Sequence, residues 1–283
     1  SAKINAQINA RELTVIAGRN DVDANSLKAT ARADDGSAKP ELAIDSSALG
    51  GMYAGAIKLV GTEAGVGVKL DGTLAASGGD IQLDANGRLS MAQTATTGNL
   101  KVTAQNVNLT DKVYAAGNVQ VSGAEELVNQ KSLAAGQRIE LNATTVTNPG
   151  IIEAGVQADN SRNATGDVVV NTQTLNTSGN VLASRSLSAT ATRELNNQGA
   201  VIQGKTVTLN SARLTNQGAT ARVYGEQALA INAPAIVNLG GLIRFGADQA
   251  ATLQTDSLDN RQGHIQVAGG SLTLNSGTLN NTG

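Results

Sequence analysis

Chemistry on a polymer or a metal needs acids that converge, and this 283-residue chain has 23 Asp and Glu to supply them. Two arrangements would matter: carboxylates clustered around Ca²⁺ beside a basic residue, or two acids a few ångströms apart on neighbouring strands, as glycan cleavage requires. Glu125 and Glu126 are adjacent in sequence, so on a strand their side chains diverge. "DVDAN" at 21–25 imitates the first ligand positions of an EF-hand loop. Ser26 stands where that loop needs Gly, however, and Arg32 where it needs Glu, so an Asx turn is expected instead. The sole histidine, His264 in "RQGHIQ", is expected on the outside, in the slot that Ala200 and Gly241 hold in sister segments. Cysteine is absent, and no nucleophile elbow, phosphate loop or dinucleotide fingerprint appears. The sequence therefore predicts no catalytic residue, no cofactor, no metal and no enzymatic activity.

Composition narrows the rest. Net charge is −2, and Lys and Arg are scattered singly, which leaves no basic stripe for a phosphate backbone and argues against nucleic acid as a partner. No run approaches the roughly 18 to 20 apolar residues that span a bilayer, so this segment is not expected to insert in a membrane. The chain is 40% hydrophobic but only 1% aromatic, which requires a narrow, aliphatic interior. Abundant Gly (32) with scarce Pro (3) favours short strands and tight turns. A chain free of Cys also suits export in an unfolded state.

The elements that would position any site repeat. "LNNQG" at 195–199 is followed by "LTNQG" at 214–218, Asn- and Gly-centred turn signals. The central turn residues are Asn148, Thr177, Asn197, Asn216, Asn238, Asn260 and Asn281, at steps of 29, 20, 19, 22, 22 and 21 residues. Between them runs an alternating apolar pair with the same beat, from Ile81/Leu83 and Leu100/Val102 to Leu272/Leu274. A unit of this length, read as three short strands ("AVIQG", "TVTLNSA", "RLTNQ"), cannot bury its apolar face alone, whereas stacked units can. The expected fold is all-β: a right-handed parallel β-helix, about 20 residues and three short strands per coil. On the order of 13 such coils would fit, less what extra hairpins consume. The seven turn residues are then expected to stack as a ladder of hydrogen bonds at one corner. The 29-residue step implies a loop, "QADNSRNATG" at 157–166, and "NAT" at 142–144 and 163–165 matches the glycosylation sequon weakly.

Before about residue 72 the beat blurs, and coils decorated with extra hairpins or loops are expected there. "LTVIAGRNDVDA" at 13–24 and the blocks "ALGGMYAG" and "LVGTEAGVGV", with the repeats after them, resemble the filamentous haemagglutinin family of two-partner secretion exoproteins. That family includes contact-dependent growth inhibition effectors and haemagglutinin-like adhesins. The resemblance implies that residues 1–72 are the later part of the secretion domain and residues 73–283 a haemagglutinin-repeat shaft. It further implies secretion to the outer surface of a Gram-negative bacterium. The implied partners are an outer-membrane transporter during export and, for the full-length protein, a receptor on a host or neighbouring bacterial cell. The expected role is a structural segment of a filament that presents an adhesive or toxic tip. The alternatives are a receptor- or glycan-binding module acting through exposed loops and, behind it, a β-helical glycan-active enzyme. The terminal "SLTLNSGTLNNTG", a full repeat with no charge after Arg261, carries the expectation that the shaft continues.

Overall fold

Alternation of period two, Val, Leu and Ile inward and Thr, Ser, Asn and Gln outward, should make each short segment a half-buried strand. In the computed structural model, which describes residues 1–246 and 251–283, that is what the chain builds: strands and turns, with no helix among the described residues. Twenty-six strands join one continuous parallel array, coiled into a β-solenoid of about 11 turns at about 21 residues per turn. The count falls short of 13 because residues 18–41 and 157–166 mostly stand outside the stack.

Several inward columns fill the interior, and one from each strand of the coil shows how. The first runs Ile57, Ile81, Leu100, Val119, Ile139, Val168, Leu187, Val207, with each pair in register. The second contains Val107, Leu127, Val146, Leu175, Leu195 and Leu214, and the third Val113, Leu133, Ile152, Val181 and Ile202. All of these are buried. With strands stacked at about 4.8 Å, identical aliphatic side chains nest on one another, and there is no width for rings. Phe245 is the one aromatic residue within this core among the described residues.

Corners interrupt the register rather than the chain. Between Ala104 and Asn106 the pairing with the next coil shifts, opposite Gly123–Glu126. Glu125 and Glu126 are therefore corner residues, both exposed, and not neighbours on one straight strand as the sequence reading assumed. At another corner the Gly of "NQG" has positive φ: Gly199 at 80° and Gly218 at 105°, with Gly240 at 65° in "NLG". The equivalent position in "NRQG" is Gln262, forced to φ 55°. The N-terminal coils pair in parallel like the rest, Ile8–Ala17 with Met52–Gly61. Between them Asn20–Val22 and Ala29–Ala31 form an antiparallel hairpin off the stack.

Candidate functional site

The turn residues form a column at one corner. Asn148 Nδ2 donates to Thr177 Oγ1 at 3.0 Å, Asn197 to Asn216 Oδ1 at 2.8 Å, and Asn216 to Asn238 Oδ1 at 2.7 Å. Asn238 donates to Asn260 at 2.6 Å, and Asn260 to Asn281 at 2.7 Å. Every side-chain amide in the series donates toward the later coil. Three also tie their own turn, Asn197 to the Ala200 carbonyl, Asn238 to that of Gly241 and Asn260 to that of Gly263, and Asn197 Oδ1 accepts from the Ala200 N–H at 3.0 Å. Asn148 and Asn216 instead donate to carbonyls of the following coil, at Gly179 and Leu242. Asn148, Asn197, Asn216 and Asn238 are completely buried, so these bonds act in a low-dielectric interior where an unpaired amide would be costly. Thr177 lies in register with Asn197, but its hydroxyl donates back to the Asn148 carbonyl of the preceding coil and to the Gly179 carbonyl of its own turn, so the chain of donation stops there and restarts.

The column has an eighth member that the sequence reading missed. Asn129 is fully buried and donates to Asn148 Oδ1 at 2.7 Å and to the Ile151 carbonyl at 3.0 Å. Its turn, "VNQK", lacks the terminal Gly by which the others were found. Directly beneath it lies Leu109, with Met91 and Leu70 below. The column thus changes from apolar to amide at Asn129, and Asn129 Oδ1, resting on a leucine, has no donor.

Apart from the three that share the Arg19 guanidinium, acids do not converge among the described residues. Among the described residues no group of three or more His, Asp or Glu could hold a metal ion. Asp23 accepts from the Asn25 and Ser26 N–H groups and the Ser26 hydroxyl, an Asx turn. Guanidinium groups hold Asp167 (Arg185) and Asp259 (Arg261) below the usual carboxylate range, and amide donors from Asn106 and Gln105 do the same for Glu125. A general acid needs the opposite shift. His264 is exposed, in register with Leu242, which pairs with Arg222. Its slot is therefore one residue beyond Ala200 and Gly241, the position that the sequence alignment gave it.

Two excursions leave the stack. The 157–166 loop is stitched down by an antiparallel bridge between Val156 and Arg162, by Arg162 on both Glu153 oxygens (2.9 and 3.3 Å), and by Asn163 Nδ2 on the Gly136 carbonyl at 2.6 Å. Both sequon asparagines are half-buried: Asn163 spends its amide nitrogen on that carbonyl, and Asn142 accepts from Asn171. At the N-terminal hairpin, Arg19 pairs with Asp34, Asp35 and Glu63, and Lys39 with Asp34, strapping residues 34–39 to the second coil.

Comparison with known proteins agrees with this architecture. Residues 1–91 match the family described as TPS secretion domain, and residues 95–171 the one described as haemagglutinin repeat. The chain is 34% identical over 221 residues to the 16S rRNA endonuclease CdiA of Enterobacter cloacae, covering 77% of this chain and 6% of that protein. It is 34% identical over 222 residues to the toxin CdiA of Escherichia coli, covering 77% and 7%. It is also 51% identical over 92 residues to the tRNA nuclease CdiA-2 of Burkholderia pseudomallei, covering 32% and 3%. The chain thus spans less than a tenth of the length of these relatives. No solved structure matches it.

Proposed function

We propose, for a chain in which a two-partner secretion domain leads into haemagglutinin repeats as in filamentous haemagglutinin-like exoproteins, that this segment is a rigid shaft holding an adhesive or toxic tip away from the cell. Such a protein is secreted and sits at the outer surface of a Gram-negative bacterium, and the secretion domain implies an outer-membrane transporter as partner. The single observation that carries the shaft reading is the continuity of the stack: parallel pairing passes from coil to coil, with buried amide bonds along one corner. Stiffness along the axis follows, because bending must break backbone bonds on one face. The reading gives the segment no reaction of its own, in keeping with carboxylates that pair with guanidinium and amide donors instead of with one another. A receptor on a host or neighbouring cell then belongs to the tip. Coil-upon-coil folding outside the membrane would draw the exported chain outward.

A shaft tolerates the loss of whole coils but not of fractions. In the full exoprotein, deleting residues 197–215 joins one corner to the next and should leave surface display and delivery to target cells close to normal. Deleting 201–209 shifts every later coil out of phase and should abolish display. Equal behaviour of the two deletions would refute the shaft. Export that is unchanged by Val207→Pro, which blocks pairing in mid-coil, would refute folding-driven export.

A further inference from the structure

One face of the shaft carries a shallow trough with a volume of about 670 Å³, parallel to the axis. Its floor is made of small residues at successive corners, Ala104, Gly123, Ala143 and Thr172. One bank is the in-register column Thr103, Ser122, Asn142, Asn171, and the other holds Ala124, Thr144, Gln173 and Thr192. Gly123 is required in the floor, because a Cβ there would meet the Glu126 carbonyl oxygen at 2.8 Å.

The chemistry of the lining is selective. None of its twelve residues is charged, whereas the cavity between Glu41 and Asn106 also holds Lys69 and Arg88. Some polar groups are already spoken for: Asn171 donates to Asn142 at 3.0 Å, Thr144 to the Ala124 carbonyl at 3.0 Å, and Thr172 to the Thr144 carbonyl at 2.9 Å. These bonds hold the banks rigid. The hydroxyls of Thr103, Ser122 and Thr192 and the amide of Gln173 face the trough with no protein partner among the described residues, and each can both donate and accept. A neutral trough with hydroxyls and amides on both banks and small apolar groups beneath suits a neutral ligand dense in hydroxyl groups.

Spacing decides what kind of polymer fits. Bank residues recur at the coil step of about 4.8 Å. An extended peptide repeats at about 3.3 Å per residue, or twice that per side chain on one face, so it would drift out of phase within two coils. One pyranose of an extended glycan advances by close to one coil. Nucleic acid would need cations that the trough lacks. We propose that this trough binds a neutral, extended oligosaccharide lying along the shaft, about one sugar per coil over four coils. The shaft would then grip neutral surface polysaccharide along its side, independently of any tip.

The test uses the whole 283-residue chain and titration calorimetry with oligomers, two to six sugars long, of neutral glucose, mannose, galactose and N-acetylglucosamine. Heparin serves as the anionic comparison. At least one neutral series should bind, with affinity rising about tenfold or more from dimer to tetramer and then levelling. Ala124→Phe places a ring in the trough from an exposed position and should weaken binding by about tenfold or more, and Thr103→Val by about three- to tenfold. Gln217→Ala, remote from the trough, should change nothing, and circular dichroism should show all three variants folded. Failure of every neutral series, binding by heparin alone, absence of a length dependence, or insensitivity to Ala124→Phe would each overturn the proposal. So would a trough occupied by a second shaft, seen as dimerisation that Ala124→Phe abolishes.

Discussion

Replacing Asn216 by Ala tests the amide column where it is most complete. Asn216 is fully buried, accepts from Asn197 at 2.8 Å, and donates to Asn238 Oδ1 at 2.7 Å and to the Leu242 carbonyl at 3.2 Å. After truncation Asn197 keeps the Ala200 carbonyl, at 2.8 Å, as acceptor, but Asn238 Oδ1 loses its donor inside the protein. One stranded acceptor at about 1–3 kcal/mol, plus the net loss of bonds worth about 1 kcal/mol each, gives a destabilisation of about 2–4 kcal/mol. Asn129→Ala also strands an acceptor, that of Asn148, but it removes an oxygen that is already unpaired. It should therefore cost less, about 1–2 kcal/mol. Gln217→Ala, at an exposed neighbour, should stay within about 0.5 kcal/mol. Urea unfolding followed by far-ultraviolet circular dichroism, with hydrogen exchange to show which coils open, measures all three. An Asn216→Ala cost indistinguishable from Gln217→Ala would show that the column is decoration. An Asn129→Ala cost exceeding it would refute the orphan-acceptor reasoning.

Three further perturbations follow from the backbone and the strap. Gln262→Gly removes a left-handed residue that pays for a side chain it does not use, and should raise stability by about 1 kcal/mol in the same urea assay. Gly179→Ala would bring a Cβ to 1.6 Å from the Gly150 carbonyl oxygen and should cost about 3 kcal/mol or more, whereas Gly240→Ala, with nothing within 4 Å and φ +65°, should cost about 1 kcal/mol. Lys39, with the Gly36 N–H and Arg19, holds the Asp34 carboxyl down to about 2. A depressed carboxylate contributes fully above its ordinary value and loses that contribution as pH falls through the folded one, so the strap should hold at pH 5 and release between about pH 4 and pH 2. Nuclear magnetic resonance titration of Asp34 and the Arg19 side chain checks this, and release above pH 4 would be the wrong result.

Much of the coil was legible because its signal is local. The alternating pairs Ile139/Leu141, Val168/Val170 and Leu187/Ala189 appear in register as two inward columns side by side, since a period of two along the chain becomes a stack as soon as strands pair in parallel. Turn residues were legible where Gly accompanied them. Asn129 escaped because its turn, continuing with Lys131 and Ser132, has no Gly two or three residues on, as every other turn of the column does, and His264 was placed one residue early because Gln262, not Gly263, adopts the left-handed conformation. The trough left no trace in the sequence. Ala104, Gly123 and Ala143 are ordinary small residues of separate repeats, and only the stacking of successive coils in register, Ala104 on Gly123, lays them side by side as one floor. Nor did spacing announce the Arg19 strap, whose partners Asp34 and Glu63 lie 15 and 44 residues away.

The column secures phase but cannot count. Within a coil, sliding by one residue would turn every aliphatic outward and pull Asn197 off Asn216, so slips are strongly opposed. Omitting a whole coil is another matter. An Asn197 laid directly on Asn148 would offer Oδ1 where Thr177 offers Oγ1, and the Asn148 amide could not tell the difference. Near-identical repeats are prone to such misassembly. What identifies this coil is its irregularity: the loop at 157–166, which reaches back through Asn163 to Gly136 and through Arg162 to Glu153. These contacts exist for only one ordering of the coils, so the loop works as a page number in a book whose pages otherwise look alike.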